Sequence, residues 1–580
     1  MNGLLRGILC IGSGLIGLTA CMSPDRDESA DPADFLFHSG RIYTVTSDAP
    51  WADAITVTGD RISYVGGRTG AESLIGPDTR IIDLDGKMLM PGLIDSHTHI
   101  FAGSISAQGV NLSLADTLDK LAEALLTLRD QNSGDGVVYA RGWQNHLFPP
   151  DGPRKEMLDA VFGDRPVVLD SVDGHSTWFS SKAFAIAGVD AETEDPEAGI
   201  SFFERNKTTG ELLGTARERA GDIIRNAVLS FDRSSYKNAL ESWLLDAAAA
   251  GLTTVYDAGA SAPTEQDAYQ TLAELEQEGK LSLRVFGSVD YRFGDDDPAS
   301  RLLDMKSRFT GAYYRPYAVK LYADGVPEAH TAYLLTPYLD RPESTGEPMI
   351  PADRMAELIT SAFEKDVPVH VHAIGDGAIR MTLDAIELAR NKTGKHEVGA
   401  AIAHMDFVHS DDIPRFAELG VVAQTSIQWA AQDPSYENIG AFVGMQRMHD
   451  AYPVKSLIEA GALQTFGADW PAAAYFSTYR PLDLLEAAVT RQLPGEIEMP
   501  VRNRDERLAL NDAIAGMTIR AATQLGADGE IGSIKEGKKA DLIVLEHNLF
   551  EIPAHEIHDV RVLMTLMDGR IVHEAGPSLH

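Results

Sequence analysis

With 580 residues, 44% of them hydrophobic and 23% charged, the chain is ordinary globular material and too long for one small domain. Its 86 Asp and Glu against 50 Lys and Arg leave a net charge of −36, a surface that repels phosphate backbones and removes nucleic acid from the expected partners. The 2 cysteines, Cys10 and Cys21, both precede the body of the chain, which therefore has no internal disulfide.

Residues 1–20 carry one basic residue, Arg6, an uncharged apolar run over 7–18, and then Leu18-Thr19-Ala20-Cys21. Small residues ahead of a cysteine resemble a bacterial lipoprotein signal, which implies cleavage before Cys21 and a membrane anchor through its lipidated thiol. Met22 in the following position suggests the outer membrane, facing the periplasm; the alternatives are a plain secretory signal, giving a secreted or periplasmic protein, and an uncleaved anchor. Residues 21–33 read as a polar tether that buries no core.

From 34 to 90 the pattern is of short β-rich runs, with Gly59-Asp60 as a hairpin turn between two of them. The final stretch, 525–580, repeats the style, with runs at 540–545 and 562–572 and a turn at Asp568-Gly569. Two β-rich ends flanking a long middle predict one small β-sandwich assembled from both termini.

The middle opens on Met90-Pro91-Gly92-Leu93-Ile94-Asp95-Ser96-His97-Thr98-His99. In a strand, residues two apart share a face, so His97 and His99 aim at one point, which is metal-ligand geometry. A mixed polar region, 109–226, reads as a segment inserted after this strand. Beyond it, apolar runs at 252–258, 283–289, 317–323, 367–373, 400–408, 421–427 and 463–468 alternate with helical patterns such as 355–364 and 378–389. Counting the first run there are eight, which predicts an α/β fold, a (β/α)8 barrel of TIM type over 91–108 and 227–524, with its active site at the C-terminal strand ends.

That rule is testable in the sequence, because chemically useful residues should stand where the apolar runs stop. The first run ends in His97 and His99, the fourth carries Lys320, the fifth holds His370 and His372, the sixth carries His404, and the eighth ends in Gly467-Ala468-Asp469-Trp470-Pro471.

This constellation resembles the amidohydrolase superfamily, and Val319-Lys320-Leu321-Tyr322-Ala323-Asp324-Gly325, His370-Val371-His372-Ala373-Ile374-Gly375-Asp376 and Gly467-Ala468-Asp469-Trp470-Pro471 look like its YtcJ-like branch, which includes N-substituted formamide deformylases. The resemblance implies that His97, His99 and Asp469 hold one divalent metal, zinc, that His372 and His404 hold a second, and that Lys320, carboxylated by carbon dioxide, bridges them. A free ammonium beside two cations is repelled, whereas a carbamate supplies an anion. Two metals sharing a water lower its pKa enough to furnish hydroxide, with Asp469 as general base and then acid. The inserted segment helps to cover the mouth in that branch, so Trp143 and His175 are candidate substrate-binding residues.

Alternatives stand beside several of these assignments. His370 shares a face with His372; His372 is preferred because it lies nearer the strand end. An uncarboxylated Lys320 paired with Asp324 would leave a one-metal site, Asp324 itself reads as a turn residue before Gly325, and His330 reads as an exposed loop histidine. The implied activity is hydrolysis of a non-peptide C–N bond in a small-molecule N-acyl or N-formyl amide, with cyclic imide, ester or lactone hydrolysis as the rival. A non-catalytic lipoprotein with a degenerate barrel is the rival of another class. His404-Met405-Asp406 and Ala468 depart from the branch's usual phrasing, which leaves the substrate open.

Overall fold

The computed structural model describes residues 32–576 apart from 108, 109, 198, 230, 261, 293 and 473–475. The signal segment, Cys21 and most of the tether lie outside them. Eight parallel strands form the barrel: β1 (Leu93–Thr98), β2 (Leu252–Asp257), β3 (Arg284–Asp290), β4 (Tyr314–Tyr322), β5 (Val369–Ala373), β6 (Ala400–His404), β7 (Val422–Thr425) and β8 (Leu463–Phe466). Every residue of β1, β2, β5, β6 and β7 is buried, as a sheet covered by helices on one face and filled by its own side chains on the other requires. The intervening helices are amphipathic. In Ala352–Glu364 the buried residues include Met355, Leu358, Ile359, Ala362 and Phe363, one face of a 3.6-residue period.

Closure occurs where β8 meets β1, and it is made by the residues just past β8. Asp469 N donates to His97 O (2.7 Å) and His99 N to Trp470 O (2.7 Å). The buried Asp95 carboxylate clamps the same seam, accepting from His97 N (3.0 Å) and Ala468 N (3.1 Å). A Cβ at Gly467 would stand 2.4 Å from His97 N, so this approach needs glycine.

The two chain ends build one eight-stranded sheet. Met88–Pro91 pairs with Leu542–Leu545 on one side and Ala33–Tyr43 on the other, and Ile75–Asp83 branches from Ala33–Tyr43. Phe37, Ile55, Val57, Leu542, Val544 and Leu566 share one apolar cluster of this β-rich domain.

The insertion after β1 is more ordered than its mixed composition suggests. Val138–Trp143, Val167–Ser171, Ser176–Phe179, Leu212–Arg217 and Phe203–Arg205 make a five-stranded sheet in that order. Alternation along the strands sends Leu169 and Trp178 to one apolar cluster and Val168 and Phe179 to another, so both faces carry a core.

Candidate metal centre

Strand register sets the depth of each side chain in the barrel mouth. Asp290, Lys320 and His370 lie in one row across β3, β4 and β5, while Tyr322 and His372 lie in the next row toward the mouth. His404 ends β6 opposite Ala373. His404 (φ 76°), Met405 (φ 55°) and Asp469 (φ 51°) adopt left-handed backbone. Each such non-glycine conformation costs about 1 kcal/mol or more, and the pair of strand ends that bear it are those that turn ligands inward.

At the seam, Asp469 Oδ1 lies 3.3 Å from His97 Nε2 and 3.1 Å from His99 Nε2. One ligand atom from each of these three residues falls within 4.8 Å of the others. Asp469 Oδ1 is buried and has no hydrogen-bond partner, which leaves a lone pair aimed at the space between the imidazoles. Burial pushes His97 down to about 3, so the ring is neutral, the form that ligates. Two imidazoles and a carboxylate around an unsatisfied oxygen fit a divalent metal.

The remaining ligand candidates surround this trio. His404 Nδ1 is 3.6 Å from Asp469 Oδ2, and its ring centroid is 4.5 Å from that of His372. Lys320 is fully buried, with Nζ 3.1 Å from His97 Nε2; burial draws its ammonium down to about 8 against the opposing carboxylates of Asp469 and Asp290. A Lys320–Asp324 pair does not form. Asp324 instead accepts from the backbone N–H groups of Ile374 (3.0 Å), Gly375 (2.8 Å) and Tyr333 (2.8 Å), tying the loop after β4 to that after β5. It is thus a buried clamp rather than a simple turn residue. His370 Nε2 sits 2.9 Å from His97 Nδ1, behind the ligating edge, and orients that ring together with Gln424 Oε1 (3.2 Å).

The two residues expected to meet substrate part company. His175 reaches the centre, its ring 5.4 Å from His372 and its Nδ1 2.9 Å from Glu218 Oε2. Trp143 does not. It is fully buried in the insertion's core, its indole N–H donating to Leu169 O (2.9 Å) and its ring packed edge-on against Trp178 and Phe148. An indole with its single donor satisfied inside an apolar cluster is packing, so the substrate-binding assignment is corrected. His330 is also corrected: it is buried between Tyr338 and Phe442 and bonded to Asp340 Oδ2 (2.8 Å), because the loop after β4 folds inward.

Glu218 carried no signal in the sequence. It adopts φ 51°, its N–H bonds His175 O (2.9 Å), and Thr331 Oγ1 donates to its Oε1 (3.0 Å), so it joins the insertion to the barrel. Although burial opposes it, the Glu218 carboxylate raises His175 to about 9. A raised histidine contributes stability that is complete below about pH 6.5 and lost as pH climbs through 9. In metal-free protein, Glu218→Gln should therefore be less stable than the parent by on the order of 3 kcal/mol at pH 6, with the gap closing above pH 9. Denaturant melts at pH 6, 8 and 10 check this, and a gap independent of pH would refute it.

Residues 80–573 match the family model described as the amidohydrolase family. The chain is 29% identical over 547 residues to a putative amidohydrolase, YtcJ, of Bacillus subtilis, covering 93% of this chain and 99% of that one. It is 26% identical over 556 residues to an N-substituted formamide deformylase of Arthrobacter pascens, covering 93% and 98%. Among solved structures, a metal-dependent hydrolase from Pyrococcus furiosus superposes with a TM-score of 0.66 at 26% identity, covering 89% of this chain and 99% of that one. With the match spanning the barrel, the insertion and the C-terminal strands of the composite sheet, this chain belongs to the amidohydrolase family.

Proposed function

We propose that the protein is a metal-dependent hydrolase of a non-peptide C–N bond, taking N-acyl or N-formyl amides. His97, His99 and Asp469 would hold one zinc ion, His372 and His404 would hold a second, and Lys320, once carboxylated, would supply an anionic ligand to the centre. The observation that carries the reading is the His97, His99 and Asp469 group with its unsatisfied Asp469 oxygen. The likeness to an N-substituted formamide deformylase supports the choice of bond.

Bound metal supplies a Lewis acid for the amide carbonyl and lowers the pKa of the attacking water. The chain's own residues do the rest. Asp469, held by its backbone bond to His97 O, takes the proton from water and returns it to the leaving nitrogen. His370 and Gln424 fix the His97 ring from behind, and His175, braced by Glu218, stands at the mouth to meet the substrate.

The same reading places the mature chain on a membrane through lipidated Cys21; among the described residues no helix is long and apolar enough to cross one. Full-length protein should fractionate with membranes, and Cys21→Ser should release it. The released protein should contain about two divalent ions per chain and hydrolyse members of an N-formyl and N-acetyl amine panel. Folded, metal-free protein would overturn the centre, and turnover confined to imides or lactones would overturn the choice of bond.

A further inference from the structure

A cleft lies beside the metal centre on the side of His404. Its inner wall includes Trp429, whose ring stacks on His404 at 5.3 Å and 12°, together with Asp406, Asp433 and Glu328. Glu328 and Ile439 also border an outer chamber of about 200 Å³, whose other walls combine Phe148, Pro149, Pro150 and Phe442 with the polar His146 and Arg217. The two spaces share Glu328, Ser435 and Ile439, and Trp429 sets the inner one against the ligand candidate His404.

The carboxylates of these walls form no close ion pair, and the cation that acts on Asp406 and Asp433 is Arg502. Among the described residues, Glu328, Asp406 and Asp433 make no ion pair within 4.0 Å. Arg502, in the same wall, spends its guanidinium on main-chain carbonyls, with Nε and Nη2 on Met448 O (3.2 and 2.8 Å) and Nη1 on Trp429 O (3.1 Å). Its cation rests on the rings of Tyr436 (5.1 Å) and Tyr452 (4.9 Å), so the wall already accommodates one cation on aromatic faces. Asp406 is only 8% exposed, and its Oδ1 has no hydrogen-bond partner; the Trp429 indole N–H is also buried without one. Asp173 and Asp433 in this wall are bonded: Asp173 accepts from His175 N (2.9 Å) and Asn145 Nδ2 (2.5 Å), and Asp433 Oδ1 accepts from Ser435 N (2.8 Å) and Ser435 Oγ (2.5 Å), which leaves the Asp406 oxygen as the orphan.

Sequestering unpaired carboxylates is costly unless a partner arrives with the opposite charge. A metal ion does not suit them, because the one group of ligand atoms within 4.8 Å among the described residues is His97, His99 and Asp469. Carboxylates spread along a cleft suit an organic cation, and the unpartnered Asp406 oxygen calls for an N–H donor, which a quaternary ammonium lacks.

We infer that this cleft is the specificity site for a protonated amine, so that the amide hydrolysed here carries an ammonium group held by Asp406, Asp433 and Glu328 and an apolar portion in the outer chamber. This rests on the amide-hydrolase reading of the metal centre. The test compares N-(5-aminopentyl)formamide with its uncharged isostere N-hexylformamide on zinc-loaded protein. The wild type should prefer the ammonium compound in kcat/KM by about tenfold or more, and Asp433→Asn or Glu328→Gln should each cut that ratio about tenfold, chiefly through KM. A ratio taken on one sample does not depend on its folded fraction, so a partly unfolded variant still reports. A wild-type ratio at or below unity, or one that neither substitution moves, overturns the cleft assignment and leaves amide hydrolysis standing. If neither formamide is cleaved, the bond assignment fails for this acyl group and calorimetry with 1,5-diaminopentane decides the cleft. Saturable binding weakened about tenfold by Asp433→Asn supports it, and no binding to the wild type overturns it.

Discussion

Asp469→Asn is expected to leave a folded protein whose kcat is lower by about 10³-fold or more, the loss that accompanies removal of a positioned acid–base group. The backbone there has φ 51°, which asparagine tolerates better than most residues, and the seam bond from residue 469 N to His97 O involves no side chain. The substitution removes two things at once, a proton acceptor and one anionic donor beside His97 and His99. Titrating zinc into the variant separates them. Weakened metal affinity raises the zinc needed, whereas the missing proton transfer persists as a low kcat at saturating metal. A fully loaded variant turning over within tenfold of the parent would remove Asp469 from the proton path.

The barrel was legible in the sequence because its strands are short runs of Val, Ile, Ala and Leu punctuated at their C-terminal ends by histidine, lysine or aspartate. That punctuation is also what made the centre legible: His97, His372 and His404 fall in the last two residues of their strands, Lys320 just before the end of its own, and Asp469 just past the last strand. The same rule read further would have found Asp257 and Asp290, which close β2 and β3, and Asp95, two residues before His97 on the same face. Burial lifts Asp257 to about 7 and Asp95 to about 8. Less could be read where partners are distant in sequence. Glu218 stands 43 residues from His175, and neither has a periodic context that would join them. Trp143 misled because a tryptophan in a segment that covers a mouth looks the same whether it lines that mouth or fills a core; only the sheet of the insertion, whose strands are 3–6 residues long, decides.

Lys320→Ala should lower kcat/KM by about 10³-fold, equivalent to about 4 kcal/mol, and reduce metal content from two ions toward one, with partial recovery of both on adding acetate or propionate. The reasoning starts from where the amine lies. Lys320 is 1% exposed, its Nζ is 3.1 Å from His97 Nε2, and burial brings its ammonium down to about 8. A buried amine near that value is partly neutral at ordinary pH, and only the neutral amine reacts with carbon dioxide to give a carbamate. Carboxylation replaces a cation that would repel metal with an anion that binds it, which reconciles a lysine among four imidazoles with a metal role. Alanine opens a pocket where the carbamate would lie, and a small carboxylate entering from solvent restores the charge without the tether. Lys320→Arg serves as the control, since a guanidinium keeps its positive charge and forms no carbamate. If the ammonium is merely structural, acetate will rescue nothing, metal content will not depend on dissolved carbon dioxide during refolding, and the arginine variant will be the more active of the two.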